Sequence, residues 1–200
     1  MSIVAYYVEV DAAQLAALRA KPPLVWHMRE DPRFAGAAMM DVDQDWQVLS
    51  WLASPTKRSE TCHHAAATAG GQDAEQVLRV VARLGCRPPP PGDDLLLDAI
   101  EGRGEERDHD PALNFGLGGA RVFPPKAVRR IAVTFSQFPW SAFRGAFDRE
   151  TMARMHVGGM DWRQEEDSVR DEFLVPSFVR LSEFYQHAAQ AGHDVVVFHL

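Results

Sequence analysis

Hydrophobic and polar positions divide the chain into segments of recognisable period. Ile3 to Val10 are apolar, β-branched or aromatic apart from Glu9, which predicts a strand. Asp11 follows as a cap for an alanine-rich stretch, AAQLAALRA, which reads as a helix ended by Pro22 and Pro23. From there to Met40, Trp26, Phe34 and several charges mix without a clean period, so the segment reads as loop with short helical turns. In DVDQDWQVLSWLASP, Val42, Trp46, Leu49 and Ala53 fall at helical spacing and Pro55 closes the run, predicting a short amphipathic helix. A polar loop is expected near 54–72. Beyond it DAEQVLRVVARLG has Asp73 and Gln76 in a capping-box arrangement and Gly85 as terminator.

The second half is more regular. Four prolines in RPPPPGDD mark a surface loop near 86–94, and LLLDAI is too short for periodicity to separate helix from buried strand. A further loop is expected over 102–118. ARVF reads as a short extended element. Pro124 and Pro125 then suit a helix start, and Val128, Ile131, Ala132, Phe135 and Phe138 form its apolar stripe. Asp148 can cap RETMARM. After Asp161 the pattern is helical to Ala191 with an interruption near Pro176, Leu174, Phe178, Leu181, Tyr185 and Ala188 sharing a face and Gly192 ending it. The continuous apolar run in DVVVFHL suits a central strand, so the first and last segments are expected to pair inside a sheet covered by helices. The expected fold is α/β: one layered domain over 1–200, helix-rich, with a small central sheet that includes the N- and C-terminal strands.

Composition narrows the function. Of 200 residues, 46% are hydrophobic and 24% charged, the proportions of a globular domain rather than a disordered or fibrous chain. Lys plus Arg number 21 against 28 Asp plus Glu, a formal charge of −7, which argues against a nucleic-acid binder and suits a partner with a basic surface. Only Cys62 and Cys86 are present, and MSIVAYYVEV has neither a basic leader nor a long apolar core, so a cytoplasmic location is expected. No run approaches the roughly 18 apolar residues of a membrane helix.

Candidate chemistry is sparse. Cys62, His63 and His64 are adjacent, but zinc sites space their ligands in paired turns, so the tripeptide reads as a polar surface turn and no metal is expected. His187, His193 and His199 recur at intervals of six, matching no helix or strand face, and are expected to be unrelated. There is no G-x-S-x-G elbow or H-E-x-x-H helix, so no catalytic residue is assigned. FGLGGAR departs from the phosphate-binding spacing and reads as a structural glycine turn. Asp41, Asp43 and Asp45 precede Trp46; one is expected to cap the helix there while the others favour its positive end. Arg121, at the edge of the glycine turn, suits a bidentate contact with a carboxylate, either one of these aspartates or a substrate.

Several of these segments, taken in order, resemble the YfbM-like proteins, a bacterial domain of unknown function numbered 1877. The residues that carry the likeness are the opening MSIVAYYVEV, the helix DVDQDWQVLSWL, the segment GLGGARVFPPKAVRRIA, and the ending FDRETMARM, Trp162 and LSEFYQHAAQAGHDVVVFHL. The chain departs from the family pattern at Gly158 and Gly159, where an aromatic residue and a proline are usual, and at Gln44, where a basic residue is. The resemblance implies an α/β domain with helices around a small sheet, and a shared surface near Asp43, Asp45, Trp46 and Arg121. It implies no reaction and no cofactor. The missing catalytic motifs and the acidic balance make the expected function a non-catalytic binding or protein-interaction module. The alternative is an enzyme acting on a small polar substrate beside those four residues. The five tryptophans supply candidate interface anchors, although most are expected in the core.

Overall fold

In the computed structural model, which describes residues 3–68, 73–84, 94–103 and 110–200, a four-stranded antiparallel sheet lies among helices. The strands are β1 (Ala5–Val10), β2 (Met39–Asp41), β3 (Arg121–Phe123) and β4 (Asp194–His199), in the order β2-β1-β4-β3. The expected pairing of the first and last segments is the centre of this sheet: β1 and β4 align over six pairs, from Ala5 opposite His199 to Val10 opposite Asp194. The strand β2 lies where loop and helix start were expected; at three residues it is too short to show an alternation.

Because side chains alternate along a strand, the sheet carries two cores. Tyr7, Val195, Val197 and Phe123 point into the larger one. Over this face pack α2 (Trp46–Ala53), α5 (Leu95–Glu101), α6 (Pro125–Ser136) and α9 (Val175–Ala191). The expected stripe of Val128, Ile131, Ala132 and Phe135 is buried there. Val8, Val10, Val122, Val196 and Phe198 face the other core, which α1 (Ala12–Ala20) and the 3-10 turns Pro22–His27 and Pro32–Phe34 close. Asp11 caps α1 through a reciprocal capping box with Gln14.

The segment LLLDAI is helical, its start capped by Asp94, whose carboxylate accepts from the Leu97 N–H at 3.1 Å. Its C-terminal end is anchored by two buried tyrosines. Tyr7 donates its hydroxyl to the Ile100 carbonyl at 2.5 Å, and Tyr185 donates to the Ala99 carbonyl at 2.9 Å. Burial pushes both phenols well above the ordinary tyrosine value, so both stay protonated as donors.

The expected loop over 54–72 is the largest difference. Pro55–Thr68 is a helix, α3, with Ser54 capping it: the Ser54 hydroxyl accepts from the Lys57 N–H at 2.9 Å. Serine followed by proline is a helix start, and Ala65, Ala66 and Ala67 favour its continuation. The remaining helices are α4 (Asp73–Leu84), α7 (Trp140–Ala146) and α8 (Arg149–Arg154). Asp148 caps α8 as expected, accepting from the Thr151 N–H at 2.7 Å. Ahead of α9, Arg170–Leu174 form one wider π turn, placing the interruption just before Pro176. The proline run, Gly85 and Cys86 lie outside the described residues.

Candidate functional site

On one side of α2, α3 lies against a turn that follows α8, and a cleft of about 560 Å³ opens between them. Helical periodicity explains the α3 wall: Lys57, Glu60, Thr61 and His64 stand three and four residues apart, so one face presents all four. The adjoining helix α2 contributes Gln47 and Trp51, one turn apart. The third wall is Met155, His156, Val157 and Gly158.

That third wall is tightly built. His156 adopts a left-handed conformation, φ 52 and ψ 39, immediately after α8, a position where glycine is usual. The Val157 carbonyl accepts from the buried Trp162 indole at 2.7 Å. Gly158, φ +65, lies so close to α2 that a Cβ there would stand 2.7 Å from Val48. Gly158 and Gly159 thus belong to the turn that holds His156 at the cleft.

Behind the cleft is a buried carboxylate. Glu101, at the end of α5, is almost wholly enclosed, and its Oε1 accepts from the Ser50 hydroxyl at 2.6 Å and pairs with Lys57 at 2.7 Å. Its Oε2 pairs with Arg103 at 2.5 Å, and Arg103 also reaches Glu60 at 2.6 Å. A carboxylate at a helix C-terminus opposes the helix dipole and would be costly alone; three donors offset that cost.

Of the residues expected at a common site, Trp46 and Arg121 lie around His199. Trp46 donates its indole N–H to the Ile3 carbonyl at 2.9 Å and packs on the His199 ring, centroids 4.7 Å apart. On the neighbouring strand Arg121 pairs with Val197 and so shares the sheet face of His199. Burial holds the His199 imidazole below the usual histidine value, the Arg121 charge adds to this and Glu101 opposes it. Among the described residues its Nε2 is buried without a hydrogen-bond partner. Asp43 participates through its backbone: left-handed at φ 48, it offers its carbonyl to the Ala5 N–H at 3.3 Å. Asp45 occupies the cap position of α2 but makes no capping bond, contrary to the expected role; its carboxyl turns to the Ser177 hydroxyl on α9 at 3.4 Å. Burial raises that carboxyl above the usual aspartate value, against the lowering effect of the Ser177 bond.

Two other expectations change. The Cys62-His63-His64 tripeptide is no surface turn: it lies in α3, with Cys62 fully buried. The His63 Nδ1 sits 2.7 Å from the Ser59 carbonyl, so it carries the proton and cannot also act as a base toward the Ser59 hydroxyl 3.3 Å away. His187 and His193 are not unrelated, because both ring Nδ1 atoms stand 2.6 Å from the carboxylate of Glu9, which is only 2% exposed. Among the described residues no group of three His, Cys, Asp or Glu side chains is arranged to hold a metal ion. FGLGGAR forms the expected glycine turn: at Gly116, φ +71, a Cβ would stand 2.5 Å from the His199 carbonyl oxygen. Trp51 and Trp162 are core, whereas Trp26 and Trp140 are 49% and 41% exposed.

The cleft itself was missed by sequence reasoning. Its signal was present in the spacing of Lys57, Glu60, Thr61 and His64, but that spacing has meaning only once the segment is read as a helix.

Comparison with known proteins bears on family and fold. The sequence model of a domain of unknown function, DUF1877, matches residues 92–198. The crystal structure of YfbM from Escherichia coli, a protein of unknown function, superposes with a TM-score of 0.59 at 12% identity, covering 97% of this chain and 98% of that one. At that identity the likeness concerns the fold alone. No curated protein matches the sequence. Among the described residues no helix is long and apolar enough to cross a membrane.

Proposed function

The chain belongs to the DUF1877 family, and from that premise we propose that it is a non-catalytic binding module whose ligand seats between α2, α3 and the 155–158 turn. The observation that carries this reading is the convergence of polar side chains from three separate elements on one cleft of about 560 Å³, within the range of small-molecule sites. Trp51, Met155 and Val157 give the cleft apolar wall, and Gln47, Lys57, Thr61, His64 and His156 supply orienting groups. Holding His156 in a left-handed backbone costs on the order of 1 kcal/mol, and such costs concentrate at functional positions. Apart from the cleft, the net charge of −7 suits a protein partner with a basic surface.

A thermal-shift screen against metabolites and nucleotides tests the reading. A ligand at about 100 times its dissociation constant stabilises the protein by roughly 2.7 kcal/mol. Thr61→Phe, which fills the cleft from α3, should abolish the shift and leave the unliganded protein folded. A hit that survives Thr61→Phe but disappears in Arg121→Ala would instead favour the second reading, an enzyme acting on a small polar substrate near Asp43, Asp45, Trp46 and Arg121. The raised, half-buried carboxyl of Asp45 is the observation on its side.

A further inference from the structure

The donor and acceptor inventory of the cleft says what kind of ligand it takes. Its lining offers the ammonium of Lys57, the hydroxyl of Thr61, the amide of Gln47 and the imidazoles of His64 and His156. Among the described residues the lone lining carboxylate is Glu60, which already receives Arg103 at 2.6 Å. Among the described residues the formal charges here close among themselves: Lys57 and Arg103 offset Glu101 and Glu60, as their contacts of 2.5 to 2.7 Å show. The imidazoles stand outside that balance, on opposite walls, and each has a ring N–H to donate. An ammonium, a hydroxyl, an amide and two imidazole N–H groups converging from three elements, beside an acid already neutralised, select a ligand rich in acceptors. The apolar wall of Trp51, Met155 and Val157 adds a place for its carbon skeleton.

We propose that the cleft binds a small organic anion, its acid group held among Lys57, His64 and His156 and its body against Trp51. This rests on the reading of the cleft as a ligand site and adds the ligand's chemical class. In a chain of net charge −7 such a site is locally distinct: general electrostatics repel an anion, and only a site with built-in donors overcomes that repulsion.

The backbone supplies a control that ordinary alanine scanning lacks. Because His156 is left-handed, His156→Gly removes a donor from the cleft while relieving strain, so the variant should melt about 2–4 °C higher than the parent. Weakened binding in that variant cannot be attributed to unfolding. The experiment is a titration of the whole protein with phenyl phosphate, benzoate, benzyl alcohol and benzylamine, followed by NMR through the indole N–H of Trp51 and the imidazole signals. The first two probes separate a phosphate ester from a carboxylate; the last two are neutral and cationic counterparts of similar size.

At least one anion should bind about tenfold more tightly than the alcohol and the amine, and His64→Ala and His156→Gly should each weaken it about tenfold. Equal or tighter binding of the alcohol or amine at the cleft overturns the anion assignment and leaves the cleft as a ligand site. An anion whose affinity is unchanged in both histidine variants overturns the assignment as well. If no probe moves the cleft signals, both the assignment and the reading beneath it fall.

Discussion

Asp45 stands at the start of α2, where an acidic side chain ordinarily caps the helix, yet its carboxyl is spent on a long contact to Ser177. Burial raises its proton affinity, so at neutral pH the folded protein carries this charge at a cost that the unfolded chain does not bear. Asp45→Asn keeps a residue favoured at that position and removes the charge. It should stabilise the protein at pH 7 by a few tenths to about 1 kcal/mol, limited by solvent screening at a half-exposed group. The sign has a pH signature. As pH falls through the raised value toward the ordinary 3.8, the native aspartate takes up its proton and the advantage of asparagine shrinks, which melting curves of both proteins from pH 7 to pH 4 would reveal. An advantage that grew on acidification would contradict the burial account.

At the scale of elements, α5 is held less by its own seven residues than by Tyr7 from β1 and Tyr185 from α9, which bind adjacent carbonyls at its end. Tyr7→Phe and Tyr185→Phe each leave a buried carbonyl without its donor and should each cost about 1–3 kcal/mol in denaturant unfolding. Since α5 ends at Glu101, either change should also disturb the Lys57 and Arg103 pairs beside the cleft, and the two losses should not add. Elements of this kind mark the boundary of what sequence shows. Helices with long stripes or clear caps, such as α1, α6 and α8, were legible, as was the pairing of β1 with β4, because period and punctuation are local. LLLDAI remained ambiguous because its state depends on two tyrosines about 90 positions away in the chain. The α3 wall was hidden by polarity: its buried positions are Ser59 and Cys62, so no apolar stripe announced a helix. Of the four expected site residues, Trp46 and Arg121 meet around His199, a neighbour that no spacing in the sequence connects with them.

Across the whole molecule the β1–β4 pair is the common wall of both cores. Its amides should therefore exchange with solvent only on global unfolding, whereas those of the three-residue edge strands β2 and β3 should exchange through smaller openings. Hydrogen exchange resolved by residue checks this, and faster exchange in β4 than in β3 would refute it. The fold likeness to YfbM extends over nearly the full length of both chains. The β1–β4 pairing also has a consequence for biosynthesis. The strand β1 leaves the ribosome before its partner β4, which follows roughly 180 residues later. At about 5–20 residues per second the nascent chain carries Tyr7, Val8 and Val10 unpaired for on the order of ten to forty seconds. During that interval neither core has its wall, and the growing polypeptide is a client for chaperones that hold extended apolar segments until β4 arrives.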